Sequence, residues 1–353
     1  MSPLRLRATI IGTAMLACLC LGAVIDPRTI LAAYLVGWVT LASIPIGGLL
    51  LLATTYLVRR AWTYDLHPIL IATTASLPLF GLLFVPILFG QVLLYPVAAG
   101  AGVPAFKAAY LAPWAFALRT IAYFVIWSLL AAWLARAWGD SARMNRAASI
   151  TLIVASLTIS LAGIDWLESL RADFHSSIYG LLFLSFTLMS SLAFVLGFEL
   201  LSARRIRSTR GYGGLFLGTL LLWAYLHAMQ YIVIWAGNIP DEVTWYLDRV
   251  QDGWQYVMVL LVFGQFIGPF LLLLSAYVRR DRRWLFLICA ATLILRGVEA
   301  ALLGLPEIHD LNVVLLPFAT IAALLFTASA FVLVVARKLG DAGGYLKAPA
   351  ARA

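Results

Sequence analysis

The sequence predicts an all-α polytopic membrane protein of about ten transmembrane helices, and three observations predict it. The 353 residues are 63% hydrophobic and 12% charged, with a mean hydropathy of +0.96, whereas soluble domains average about 45–50% apolar and about 25% charged residues. Apolar runs recur at the roughly 20-residue length that crosses a bilayer core as a helix. Lys and Arg collect at alternate ends of those runs. A soluble enzyme, a disordered chain and a disulfide scaffold are excluded, so function belongs inside the bilayer or at its faces.

Charges, Pro and Gly bound ten runs, at about 8–25, 30–58, 68–98, 112–138, 146–164, 175–201, 212–236, 252–277, 283–304 and 312–336. The first follows Arg5 and Arg7 and stops at Asp26-Pro27; Arg59-Arg60 closes the second; Pro78 and Pro86 interrupt the third. The fourth opens at Pro113 and ends near Arg136, and Arg146 and Asp165 bracket the fifth. The remaining five end at Arg204, Gly237, Arg279, Pro306 and Arg337-Lys338. Met15-Leu16-Ala17-Cys18 in the first run loosely resembles a lipoprotein cleavage site.

Of 25 basic residues, 19 flank one side: Arg5, Arg7, Arg59, Arg60, Arg136, Arg143, Arg146, Arg204, Arg205, Arg207, Arg210, Arg279, Arg280, Arg282, Arg283, Arg337, Lys338, Lys347 and Arg352. Arg28, Lys107, Arg171 and Arg249 flank the other, and Arg119 and Arg296 lie within spans. The positive-inside rule then puts both termini in the cytoplasm. The net charge of +9 reflects this topology rather than an affinity for nucleic acid. The opposite side carries Asp26, Asp165, Glu168, Asp173, Asp241, Glu242, Asp248, Asp252, Glu307 and Asp310. These acids either fill exposed loops or form a docking face for an extracytoplasmic partner.

An offset of four helices preserves orientation, and spans two and six both end in basic pairs, Arg59-Arg60 and Arg204-Arg205. One integral membrane domain over 1–353 is expected, with spans 2–5 (about 30–165) and 6–9 (about 175–304) as two four-helix bundles and spans 1 and 10 peripheral.

Polar side chains inside spans are costly and mark places where chemistry or helix pairing occurs. Arg296 and Glu299 stand i,i+3 on one face of span nine. Trp223, His227, Gln230 and Tyr231 form an expected polar-aromatic stripe on span seven, where an imidazole can exchange protons near neutral pH. With Arg119 and Gln91 these residues fall in the outer halves of their spans. Either they neutralise and lock helices, or they contact a quinone headgroup and move protons. Among the four histidines His227 alone is deep, and Cys18, Cys20 and Cys289 lack haem, iron–sulfur or zinc spacing, so neither haem nor an iron–sulfur cluster is expected in this chain.

Several stretches resemble one family. Asp165-Trp166-Leu167-Glu168-Ser169-Leu170 followed by Phe174-His175-Ser176-Ser177-Ile178-Tyr179-Gly180 is similar to a segment of the F subunit of bacterial alternative complex III, a polysulphide-reductase-type or NrfD-like membrane subunit. Trp223-Ala224-Tyr225-Leu226, Gln230, Ile234-Trp235-Ala236-Gly237-Asn238-Ile239-Pro240-Asp241-Glu242, Pro269-Phe270 and Leu272-Leu273-Leu274-Ser275 continue the similarity, as do Lys107-Ala108-Ala109-Tyr110-Leu111, Arg119 and Trp127. The likeness covers about residues 60–310.

The resemblance implies a non-haem subunit of a quinol:electron-acceptor oxidoreductase in the bacterial inner membrane. Its expected neighbours are a homologous C subunit, an iron–sulfur B subunit, haem c subunits and lipid. His227, Gln230, Tyr231, Arg296, Glu299, Arg119 and Gln91, with Asp165 and His175 of the resembling segment, are the candidates for quinone contact or proton movement. Asn238, Pro240, Asp241 and Glu242 are the candidates for partner docking, with Trp235, Trp245, Tyr246 and Trp254 as neighbouring anchors. A secondary transporter and a purely structural membrane anchor are the readings of other classes.

Overall fold

The computed structural model describes residues 3–201 and 209–342. The expected basic residues Arg204, Arg205, Arg207, Lys347 and Arg352 lie outside the described residues. Ten helices are long and apolar enough to cross a membrane: α1 Pro3–Ile25, α2 Pro27–Val58, α3 Thr63–Phe89, α4 Pro113–Ala137, α5 Ser141–Leu170, α6 Tyr179–Leu201, α7 Gly211–Gly237, α8 Trp254–Leu274, α9 Arg282–Glu307 and α10 Leu315–Gly340. No strand occurs among the described residues.

The centre of the molecule is α2, apolar all round and buried along nearly its whole length. Around it pack α3, α5, α6, α9 and α10, while α7 and α9 pack on α6 and α1 lies chiefly against α10. Close approach depends on small residues. A Cβ on Gly47 would fall 2.0 Å from the Thr187 carbonyl oxygen of α6, and one on Gly37 would fall 2.8 Å from the Ala323 backbone of α10.

Proline breaks α3, as expected, into segments after Thr74 and near Phe84. Helix α2 supplies donors for the carbonyls so released: Trp38 Nε1 donates to the Phe80 oxygen at 3.0 Å and the Tyr34 hydroxyl to the Leu83 oxygen at 2.6 Å. Apolar surroundings would otherwise leave those oxygens unsatisfied. In α8, residues Leu261–Ile267 form a π-helical stretch just before Pro269.

Two expected boundaries shift. Span three ends at Phe89 rather than near 98. Span five continues past 164 through Trp166 and a 3₁₀ turn, Glu168–Leu170, which carries Asp165 and Glu168 into the fold.

The two faces are tied by different means. On the basic face, Arg59 of the α2 C-terminus donates to the Ser141 oxygen at 3.0 Å and to Asn145, and Arg5 donates to the Ala336 oxygen at 2.8 Å. On the acidic face the loops are joined by ion pairs, and there the polar groups converge.

Candidate functional site

The first polar group spans α4 and α5. Arg119 Nε and Nη2 donate to Asp165 Oδ2 and Oδ1 at 2.9 and 2.8 Å, and Nη1 donates to the Tyr110 oxygen at 2.6 Å. The guanidinium lies 3.8 Å over the Tyr110 ring. Tyr123, one turn after Arg119, adds its hydroxyl to Asp165 Oδ2 at 2.7 Å. Such a planar fork on a carboxylate is the strongest geometry available to Arg. Asp165 is therefore an interior ion-pair partner and not a loop acid.

The second group joins α7 to α9. Glu299 Oε1 accepts from Trp223 Nε1 at 2.9 Å and lies 3.2 Å from His227 Nε2, while Oε2 is 2.5 Å from Arg296 Nη2. His227 Nδ1 is 3.0 Å from the Trp223 oxygen, so both ring nitrogens face acceptors. Arg296 and Glu299 are fully enclosed, whereas the His227 side chain is 31% exposed. The imidazole is thus the edge of the group and the carboxylate its interior.

Helix geometry divides the expected stripe on α7. Tyr231 is exposed and its ring meets Tyr246 at 5.3 Å. Gln230 is buried near Tyr246. At 100° per residue, i+3 and i+4 neighbours share a broad face, but i+7 and i+8 decide which edge of it is enclosed. Gln91 is also buried, donating to the Leu88 oxygen at 3.1 Å and approaching that of Pro113 at 3.5 Å; it fastens α3 to α4.

A third group lies on the acidic face. Arg171 pairs with Asp248, reaches Glu307 Oε2 at 3.3 Å, and donates to the Thr244 hydroxyl at 2.8 Å. Burial works against its charge, but Asp248 and Glu307 more than offset it and raise its pKa. Arg249 is fully enclosed, 3.4 Å over the Trp245 ring, bound to the oxygens of Leu302, Leu303 and Trp245 at 3.0, 3.1 and 2.8 Å and to Glu307 Oε1 at 2.6 Å. Burial lowers its pKa against the pull of Glu307. The hairpin between α7 and α8 is thereby clamped to the end of α9.

Beside this clamp is a cleft of about 190 Å³ walled by Phe106, Tyr110 and Phe174, with Lys107, Glu168 and His175 contributing the polar groups. Glu168 is 8% exposed; its Oε1 meets the Ser176 amide at 3.4 Å, and its Oε2 has no hydrogen-bond partner among the described residues. Lys107 donates to the Ala172 oxygen and stands 3.4 Å from His175 Nε2. Burial lowers the Lys107 pKa against the attraction of Glu168 and Asp173. Burial and the Lys107 charge lower that of His175.

Several expectations for the acidic face are corrected by this geometry. Asp165, Glu168 and Glu307 neither fill open loops nor present a free docking surface, because each is buried against an internal partner or lines the cleft, whereas Asp248 pairs with Arg171 but stays half-exposed. Trp245 turns inward under Arg249 and is no interface anchor. Asn238, Pro240 and Asp241 remain exposed and Glu242 half-buried, with Trp235 exposed beside them.

Reasoning on the sequence missed Tyr123, Glu168, Lys107, Tyr110 and the Arg249–Glu307 pair. The i,i+4 spacing of Arg119 and Tyr123 and the i,i+3 spacing of Asp165 and Glu168 were signals available for two of them. A scan against protein-family models and a search of curated proteins each return no match to this chain.

Proposed function

We propose that this chain is a non-haem integral subunit of a quinol:electron-acceptor oxidoreductase of the alternative complex III type, with its basic face toward the cytoplasm and both termini inside. The observation that carries the reading is the continuous contact of His227, Glu299 and Arg296, in which an imidazole at the helix surface leads to an enclosed carboxylate. Two bases sharing one proton position inside a bilayer are the elements of a proton path. The resemblance over residues 60–310 supplies the class of complex. The cleft supports quinone contact: about 150 Å³ suffices for a benzene ring, and here aromatic walls stand beside a buried carboxylate with a free oxygen.

Purification of the tagged chain in mild detergent tests the proposal. Recovery with haem c and iron–sulfur subunits and a homologous membrane subunit is expected; a chain that comes out alone sinks it.

A further inference from the structure

The cleft on the acidic face has wall charges of opposite sign that do not neutralise each other. Lys107 and Glu168 both line it, yet among the described residues no ion pair joins them: the Lys107 ammonium donates to the Ala172 oxygen and stands beside His175, while Glu168 Oε1 meets the Ser176 amide and Oε2 has no partner. Glu168 is only 8% exposed, and a buried carboxylate oxygen without a donor is a place for one. The terminal torsion of Glu is broad, so the carboxyl can turn toward a donor in the cleft. Phe106, Tyr110 and Phe174 surround these charges with aromatic surface, which attracts cations. An anion alone leaves Glu168 unmatched and a cation alone leaves Lys107 unmatched. A zwitterion matches both.

The cleft also lies at the height of lipid headgroups. Lys107 comes from the segment before α4, Glu168 from the last turn of α5 and His175 from the connection to α6, all at the ends of bilayer-length helices. From Ile164 in the cleft wall, Leu161, Leu157 and Ile153 follow along α5 at spacings of three and four and are 43%, 64% and 64% exposed. They form an apolar ridge running from the cleft toward the bilayer centre.

We propose that this cleft binds the headgroup of one phospholipid that carries a primary amine, of the phosphatidylethanolamine type, with an acyl chain laid along the α5 ridge. The ammonium donates to Glu168 and rests against the aromatic walls, and the phosphate accepts from Lys107. A choline headgroup has no N–H to give Glu168, and a glycerol headgroup has no positive charge. The inference goes beyond the assignment to an oxidoreductase and does not depend on it. A cleft of about 190 Å³ takes one such group at a time, so bound lipid excludes a quinone ring, and quinone contact here requires the lipid to leave.

Native mass spectrometry of the full chain in mild detergent, with dioleoyl phosphatidylethanolamine, phosphatidylcholine or phosphatidylglycerol added, tests the site. One phosphatidylethanolamine per chain is expected to be retained about tenfold more tightly than either other lipid, the worth of a charge-assisted hydrogen bond. Glu168→Gln keeps the side-chain shape and is expected to abolish that preference; Lys107→Gln, at a part-exposed position, is expected to weaken retention about tenfold as well. Equal retention of the three lipids by the parent, or unchanged phosphatidylethanolamine retention in both variants, overturns the proposal. Glycerophosphoethanolamine, which has the headgroup and no acyl chain, is expected to displace the lipid only at about a hundredfold excess or more. Displacement at equal concentration would make the ligand a free zwitterion and overturn the lipid assignment. The measurement uses the chain alone, so it decides the lipid site whether or not the complex is recovered.

Discussion

Arg119 of α4 grips Asp165 of α5 with two parallel hydrogen bonds of 2.9 and 2.8 Å across 46 residues of sequence. Removing one member of a buried pair leaves an uncompensated charge and costs about 3–5 kcal/mol, whereas replacing both with apolar residues is often neutral. Asp165→Ala is therefore expected to lose most of the folded chain in detergent, and Arg119→Met with Asp165→Leu to recover much of it. Thermal unfolding by tryptophan fluorescence measures both; a double variant as damaged as the single one would mean that the pair does more than offset itself.

Glu299→Gln is the direct test of a proton role, but the structure shows why it is not a clean one. Arg296 is enclosed beside this carboxylate at 2.5 Å, so the amide leaves a guanidinium uncompensated and destabilises the chain by several kcal/mol. His227→Gln is cleaner, because the imidazole is partly exposed and Gln keeps a hydrogen-bonding group of similar reach. The prediction is full assembly with acidification reduced at least tenfold. Undiminished proton yield would make the cluster structural.

The exposed Asn238-Ile239-Pro240-Asp241 tip of the hairpin is predicted to dock an extracytoplasmic partner, with Trp235 as the aromatic anchor. Thr244 is a poor reporter, since its hydroxyl accepts from Arg171 and donates to the Asp241 oxygen. Ile239→Cys should react with a polar maleimide at least tenfold more slowly in the assembled complex than in the isolated chain. Equal rates would remove this tip from the interface.

Gly47 and Gly218 should respond oppositely to alanine. At Gly47 the new methyl would meet the Thr187 backbone at 2.0 Å, while at Gly218 nothing lies within 4 Å. Overpacking costs about 1–3 kcal/mol where side chains can yield, and a backbone carbonyl on a central helix yields less. Gly47→Ala is expected to abolish a monodisperse species in size-exclusion chromatography, and Gly218→Ala to leave it unchanged.

Asp26 caps α2, accepting from the Thr29 amide at 3.0 Å and hydroxyl at 2.5 Å, and the same hydroxyl accepts from the Asn312 amide at 2.9 Å. The Thr29 hydrogen bonds hold the Asp26 carboxyl below its usual pKa, against a small opposing effect of burial. The folded state thus prefers the ionised form, so this stabilisation is present above the ordinary carboxylate range and is lost as pH falls through it. Asp26→Ala should cost about 1 kcal/mol near neutral pH, and the difference between parent and variant should vanish in acid. Thermal unfolding from pH 7 to pH 3 checks the sign; a gap that widens in acid would contradict it.

Composition and the spacing of apolar runs were enough to determine an all-α chain of ten bilayer-length helices, because a hydrocarbon core demands internally bonded segments of one length. The break in α3 was equally legible, since Pro78 and Pro86 remove backbone donors wherever they sit. The i,i+3 pairing of Arg296 with Glu299 followed from helical geometry, because both members stand on one helix. The partners of Arg119, Glu299 and Arg249 on other helices were decided by tertiary packing. Asp165 reads as a loop acid until α5 is seen to run one turn further, and Glu168 and Glu307 read as surface charges until the first is found in the cleft wall with Phe174 and the second between Arg171 and Arg249. A one-dimensional pattern records which residues share a helix face; which faces meet depends on where Gly37 and Gly47 let α10 and α6 approach α2, and that contact is fixed by shape in three dimensions.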